Sequence, residues 1–209
     1  MTSTGRVYLL VPIHMTRSDA WNLLREFTRN DSLIKHALAV EAAMEHYAAH
    51  FAADTQLWGI VGLIHDFDYE RWPAPPEHTR EGARILRERG VDEEIIGAMM
   101  SHAEWNREQY PLDRPLRKTL AAVDELCGFI TAVAYVRPEK LEGMAASSVK
   151  KKMKQKSFAA AVNRDDIARG AELLGLTLDD HITHVIAALR NIAGPLGFAP
   201  GEKPQEPQG

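Results

Sequence analysis

The sequence predicts an all-α domain, and three of its features carry that expectation. Apolar residues recur at three- and four-residue steps through most of the chain, strand-like alternation of β-branched residues is scarce, and the apolar stretches are punctuated by cap residues, glycines and prolines. With 209 residues, 45% of them hydrophobic, the chain can bury a substantial core as one domain, expected over residues 1–195.

The first helix is expected in "MTRSDAWNLLREFTRN", capped by Ser18, with Trp21, Leu24 and Phe27 on one face. A second begins near Asp31 or Ser32 and runs to about Phe51, carrying Ile34, Leu38, Ala42 and Met44 inward and His36 in its first or second turn. A third, "DTQLWGIVGLIHD", is apolar nearly all round, as suits the centre of a bundle, and ends at His65 and Asp66. The stretch "FDYERWPAPPEH" must break the helix, because proline lacks the backbone donor and clashes with the preceding turn. Helix four, "EHTREGARILRERG", carries His78 at its start and stops at Gly90, which suits a left-handed cap. Helix five, "DEEIIGAMMSHA", opens with acids that complement the helix dipole and ends at His102. After the loop "EWNREQYPLDRP", a long helix from about Leu116 to Val136 carries Asp124, and "RPEKLEGM" ends it. Further helices are expected over roughly 147–156, 165–175 and 178–193, without internal repeats. The polar, proline-rich end of the chain, 196–209, is expected to be a disordered tail.

Composition narrows the function. A formal net charge of -4 argues against a general polyanion binder, and so against nucleic acid as the partner. No apolar run approaches the roughly 20 residues that span a bilayer, and "VYLLVPI" near the N-terminus is too short for the core of a signal peptide. Cys127 is the single cysteine, so no intramolecular disulfide forms and a reducing compartment, the cytoplasm, is expected. Cys127 itself reads as a small buried filler. The sequence leaves the oligomeric state open, and a homo-oligomer is compatible with it.

Nine histidines distribute unevenly in kind. His14, His46, His50, His181 and His184 read as surface or satisfied core residues. His46 and His50 are spaced to chelate a metal on a helix face, but no HExxH glutamate accompanies them, so a solvated face is expected. His36, His65, Asp66, His78, His102 and Asp124 differ, because each lies at a predicted helix end or interrupts an apolar helix. There an unpartnered polar group costs several kcal/mol, roughly 2 to 7 for a neutral one. Converging imidazoles and carboxylates at such places hold a metal or one another.

The order of His36, the doublet His65-Asp66 and the distal Asp124, in "IKHALAVE", "GLIHDFDYE" and "AAVDELCG", resembles the HD-domain superfamily of metal-dependent phosphohydrolases. "PEHTREGARIL", "VDEEIIGAMMSHA" and "KKMKQKSFAAAVNRDDI" look like a bacterial branch of predicted HD-superfamily hydrolases and extend the likeness to nearly the whole chain. The resemblance implies a helical bundle in which His36, His65, Asp66 and Asp124 ligate one divalent ion. In branches with two ions, His78 and His102 are in the right order to hold the second, with Asp66 as the bridge. Adjacent helical residues diverge by about 100°, so His65 and Asp66 can share an ion only near a helix end. The chain lacks the GYP motif of cyclic-dinucleotide phosphodiesterases.

The expected reaction is hydrolysis of a small phosphate ester or nucleotide by metal-activated water. Asp66, Asp68, His78 and His102 are the expected catalytic groups. His78 and His102 hold a second ion or act as acid and base, and Asp68 orients the water or a ligand histidine. A mixed imidazole and carboxylate set accepts Mn, Fe, Ni, Co, Zn or Mg, one or two per chain. Within "VKKKMKQKS", Lys154 and Lys156 are the favoured contacts to phosphate. Two other readings stand beside this one: a di-iron oxygenase with the same ligand order, and a non-catalytic sensor that keeps a structural metal.

Overall fold

A computed structural model of the chain describes residues 15–199. The apolar patch at 7–13, His14 and the expected tail beyond 199 lie outside the described residues. Leu196 and Phe198 are buried, and Phe198 packs its ring against Tyr135, so the packed body continues past the expected boundary at 195.

Nine α-helices make up the described residues: α1 (Arg17–Phe27), α2 (Asp31–His50), α3 (Thr55–Ile64), α4 (Glu77–Glu88), α5 (Glu93–His102), α6 (Pro115–Tyr135), α7 (Ala146–Met153), α8 (Arg164–Leu173) and α9 (Leu178–Asn191), with a 3-10 turn at Glu104–Asn106 before α6. Side-chain caps set several of the starts. Asn30, Asp54, Asp92, Asn163 and Thr177 each accept from backbone amides of α2, α3, α5, α8 and α9 that have no partner within the helix. The cap of α1 is Thr16, not Ser18. Thr16 and Asp19 close a reciprocal capping box, which satisfies two amides where a Ser18 cap would satisfy one. Gly90 takes the expected left-handed conformation after α4, with φ of 71°.

Helices α2, α3 and α6 form the centre. α2 lies against α3, α6 and α9, while α1 covers α3, α5 covers α6, and α8 closes on α6. Small residues set the closest approaches. A Cβ on Gly62 would lie 2.9 Å from the Glu41 Cα and from the Val40 carbonyl oxygen, so α3 rests backbone to backbone on α2. Gly170 of α8 makes the same approach to Ala122 of α6. Within α2, Ile34, Ala42 and Met44 are buried as expected, but Leu38 is half-buried and Ala37 and Val40 take the core side.

Three of the histidines expected to be unremarkable join α2 to the C-terminal helices. The buried Tyr47 hydroxyl lies 2.6 Å from His181 Nδ1, and His181 Nε2 donates to the Ala122 carbonyl at 3.0 Å. The solvated face expected at His46 is replaced by a half-buried contact, with His46 Nε2 2.9 Å from His184 Nδ1. Cys127 is fully buried and its thiol faces the Ala39 carbonyl.

Candidate metal centre

Five separate stretches of chain converge beside α2, α3 and α6. His36 comes from the second turn of α2, His65 caps the C-terminus of α3, and Asp66 is the first residue of the turn that follows. Because α3 ends there, the doublet is released from helical geometry and both side chains reach the same place. Asp124 comes from the middle of α6, where it faces α2, and its Oδ1 lies 3.0 Å from His36 Nε2 and 3.5 Å from His65 Nε2.

The second pair arrives from α4 and α5. His78 Nε2 lies 3.2 Å and His102 Nε2 3.1 Å from the same oxygen, Oδ1 of Asp66, whose other oxygen lies 3.6 Å from His65 Nε2. Asp66 therefore belongs to two groups of close ligand atoms: His36, His65 and Asp66 on one side, Asp66, His78 and His102 on the other.

His78 needs an unusual backbone to reach this position. His78 and Thr79 depart from helical dihedrals inside α4, and Thr79, a β-branched residue, has φ of 70°. A conformation of that kind costs on the order of 1 to 3 kcal/mol and persists only when its surroundings hold it. They do so here. The Asp68 carboxylate accepts from the Thr79 and Gly82 amides, at 2.8 Å and 2.9 Å, and the Thr79 hydroxyl accepts from Asn106 Nδ2 at 2.8 Å.

Three imidazoles are oriented through Nδ1. His65 donates from it to the Gly62 carbonyl at 2.8 Å, His102 to the Met99 carbonyl at 2.5 Å, and His78 to the Asp68 carboxylate at 3.1 Å. Each bond turns Nε2 toward the cluster, which is the arrangement that presents a lone pair to a cation. His65 is wholly buried, whereas the side chains of Asp66, Asp124 and His36 keep about a fifth of their surface in solvent, so the cluster opens on their side.

The residues fit a divalent ion. His65 Nε2 and Asp66 Oδ1 are buried and have no hydrogen-bond partner, although nitrogens and oxygens surround them at 3.1 to 3.6 Å. Atoms this close but not aimed at one another are what ligands converging on a common third point look like. Two ligands at about 2.1 Å from one ion are separated by roughly 3.0 to 3.4 Å, which covers the distances from Asp66 Oδ1 to His78 and His102, while those from His65 Nε2 to Asp66 and Asp124 are slightly longer. Electrostatics agree. Burial works to raise the pKa of Asp66, but His65, His102 and His78 outweigh it and hold the carboxyl well below its usual range. Burial likewise opposes protonation of His78, yet Asp66 and Asp68 push its pKa up to about 9. Without a cation the site would hold protons in its place.

Other expected residues fall elsewhere. Asp68 is fully buried, so of its two expected partners it meets the ligand histidine and not the water; its oxygens are taken by His78, Thr79 and Gly82. Lys154 and Lys156 are exposed just beyond α7, and among the described residues no hydrogen bond or ion pair joins either to the cluster. Sequence reasoning missed Thr79, Asn106 and Arg107, and also Tyr69 and Trp105, whose ring centroids lie 5.2 Å and 6.0 Å from that of His78. Arg107 donates to the His102 carbonyl at 3.2 Å, and its buried Nε has no partner. Aromatic and basic residues set close behind Asp66 and His102 in otherwise polar loops were the available signal.

The family model for the HD domain matches residues 33–146, a span that contains all six cluster residues, and no curated protein or solved structure matches the chain.

Proposed function

The chain belongs to the HD domain family, and from that premise we propose that it hydrolyses a small phosphate ester at a centre of two divalent ions. HD domains are in general metal-dependent phosphohydrolases, and the His and Asp groups described above are suited to holding metal. The observation that carries the reading is Asp66, one carboxylate shared by two groups of histidines.

In this reading His36, His65, Asp66 and Asp124 would hold one ion, and Asp66, His78 and His102 would hold the other. When bound, such ions supply Lewis acidity that polarises a phosphoryl oxygen and lowers the pKa of a coordinated water toward neutrality. The chain contributes the rest. His65, His78 and His102 are locked through Nδ1 before any ligand arrives, and this preorganisation avoids a reorientation cost during the reaction. The open side at His36, Asp66 and Asp124 admits water and ester. The ester P–O bond breaks, the water oxygen forms the new P–O bond, and the alcohol leaves with a proton from the water. Asp68 acts through His78, and Arg107 donates to the His102 carbonyl and so braces the backbone of that histidine.

The test is phosphate release from a panel of phosphomonoesters by the purified chain with Mn, Co, Ni or Mg supplied, alongside elemental analysis. Release that disappears on chelation and returns with metal supports the reading. No release from any ester overturns it. Two irons per chain with oxygen consumption would establish the oxygenase, and a tightly held ligand without turnover would establish the sensor.

A further inference from the structure

Two exposed aromatic rings stand against the imidazole of His78. Tyr69 is 38% exposed, with its ring centroid 5.2 Å from that of His78, and Trp105 is 47% exposed, with its centroid 6.0 Å away. The rings come from different segments, Tyr69 from the turn after the His65-Asp66 doublet and Trp105 from the 3-10 turn after His102. Other large exposed rings have neighbours of another kind, since Phe51 packs on Tyr47 and Trp58, and Tyr135 on Phe198.

Both segments are held. The Tyr69 amide donates to the Asp66 carbonyl at 3.0 Å, and the same turn is closed by the Arg71 and Trp72 amides on the Asp68 carbonyl. Asn106, next to Trp105, donates from one amide nitrogen to the Thr79 hydroxyl at 2.8 Å and the Met100 carbonyl at 3.0 Å. Ring surface left in water contributes little to the fold, and fixed backbones beneath it lower the entropy lost when a ligand covers it. Tyr and Trp provide large rigid stacking surfaces of this kind.

We propose that Tyr69 and Trp105 form a subsite for a planar aromatic or heteroaromatic ring on the leaving side of the phosphate ester. The substrate is then the phosphate ester of a ring-bearing alcohol, a nucleoside or an aryl alcohol, in preference to an alkyl or sugar phosphate. This rests on the hydrolase reading above, and the experiment separates the two.

The full-length, metal-loaded chain is assayed with phenyl phosphate, a nucleoside 5′-monophosphate and glycerol 3-phosphate. The ratio of kcat/KM for ring-bearing over alkyl ester is compared among wild type, Tyr69→Ala, Trp105→Ala and the ring-retaining Tyr69→Phe and Trp105→Phe. The ratio is expected to fall about tenfold or more in each alanine variant, through KM, and to be largely restored by phenylalanine. An unchanged ratio in both alanine variants, or equal handling of ring and alkyl esters by wild type, overturns the subsite. If no ester is hydrolysed, the hydrolase reading fails and intrinsic fluorescence decides the subsite alone. Quenching by the nucleoside monophosphate but not by glycerol 3-phosphate or inorganic phosphate, lost in Trp105→Phe and weakened in Tyr69→Ala, supports it, and equal responses to all three overturn it.

Discussion

The Asp68 carboxylate accepts from Nδ1 of His78 at 3.1 Å, and this one bond aims Nε2 of the imidazole at Asp66. Asp68→Asn keeps the shape and removes the charge. Loss of an outer partner of a ligand histidine weakens metal binding by about 10- to 100-fold. Chelator competition should find one ion weakened by that amount in Asp68→Asn and the other unaffected, with helix content preserved by circular dichroism. Two ions held as tightly as in wild type would show that Asp68 does not position His78 for metal.

Asp66 is common to both ligand groups, whereas His102 belongs to one. Asp66→Ala should therefore lose both ions from the purified chain, and His102→Ala only one, by elemental analysis. Removing several kcal/mol of Lewis-acid stabilisation lowers turnover by on the order of a thousandfold. Equal metal content in the two variants would rule out the sharing.

Protons and cations compete for the same atoms. With the His78 pKa pushed up to about 9 by Asp66 and Asp68 against the opposing effect of burial, the metal-free site carries protons at neutral pH. Metal binding should then release protons and tighten as pH rises toward 9. Calorimetric titrations in buffers of different ionisation enthalpy measure the release directly, and a count of zero at pH 7 would contradict it.

His181 should make the fold acid-sensitive. Burial lowers its pKa from 6.5 to about 4, with the Ala122 carbonyl opposing and His184 reinforcing. The folded pKa lies below the unfolded one, so the unfolded chain binds the extra proton first as pH falls. This stability is complete above pH 6.5 and is lost between 6.5 and about 4. The loss amounts to on the order of 3 kcal/mol. Urea midpoints of the metal-free chain across that window should fall less steeply in His181→Gln than in wild type. Parallel slopes would mean that His181 is not held neutral by the fold.

Gly62 lets α3 lie on α2 backbone to backbone, and the three atoms nearest the place a Cβ would occupy all belong to the α2 backbone. Gly62→Ala must push the helices apart and should lower stability by about 1 to 3 kcal/mol. Gly194→Ala, where a Cβ would meet nothing within 4 Å, should stay within about 0.5 kcal/mol of wild type. Chemical denaturation of both variants checks the difference. Since His65 caps α3, Gly62→Ala should also weaken metal binding.

The amino-acid sequence by itself determined the helical class, the order and approximate limits of the helices among the described residues, and which six polar residues stood where an apolar helix had no use for them. Those are local properties, set by periodicity, caps and prolines, and a sequence displays them without reference to distant residues. Only the tertiary structure decided that Asp66 serves two histidine groups, that Asp68 is buried behind His78, and that Thr79 is held at positive φ by Asp68 and Asn106. It likewise decided that His46 and His181 connect α2 to α9, where the spacing of His46 and His50 suggested only a wet face. The physical reason is the same in each case. A charged or polar side chain takes its role from what the packed helices bring within about 3 Å of it, and those partners come from other helices and from turns that close only when the chain folds.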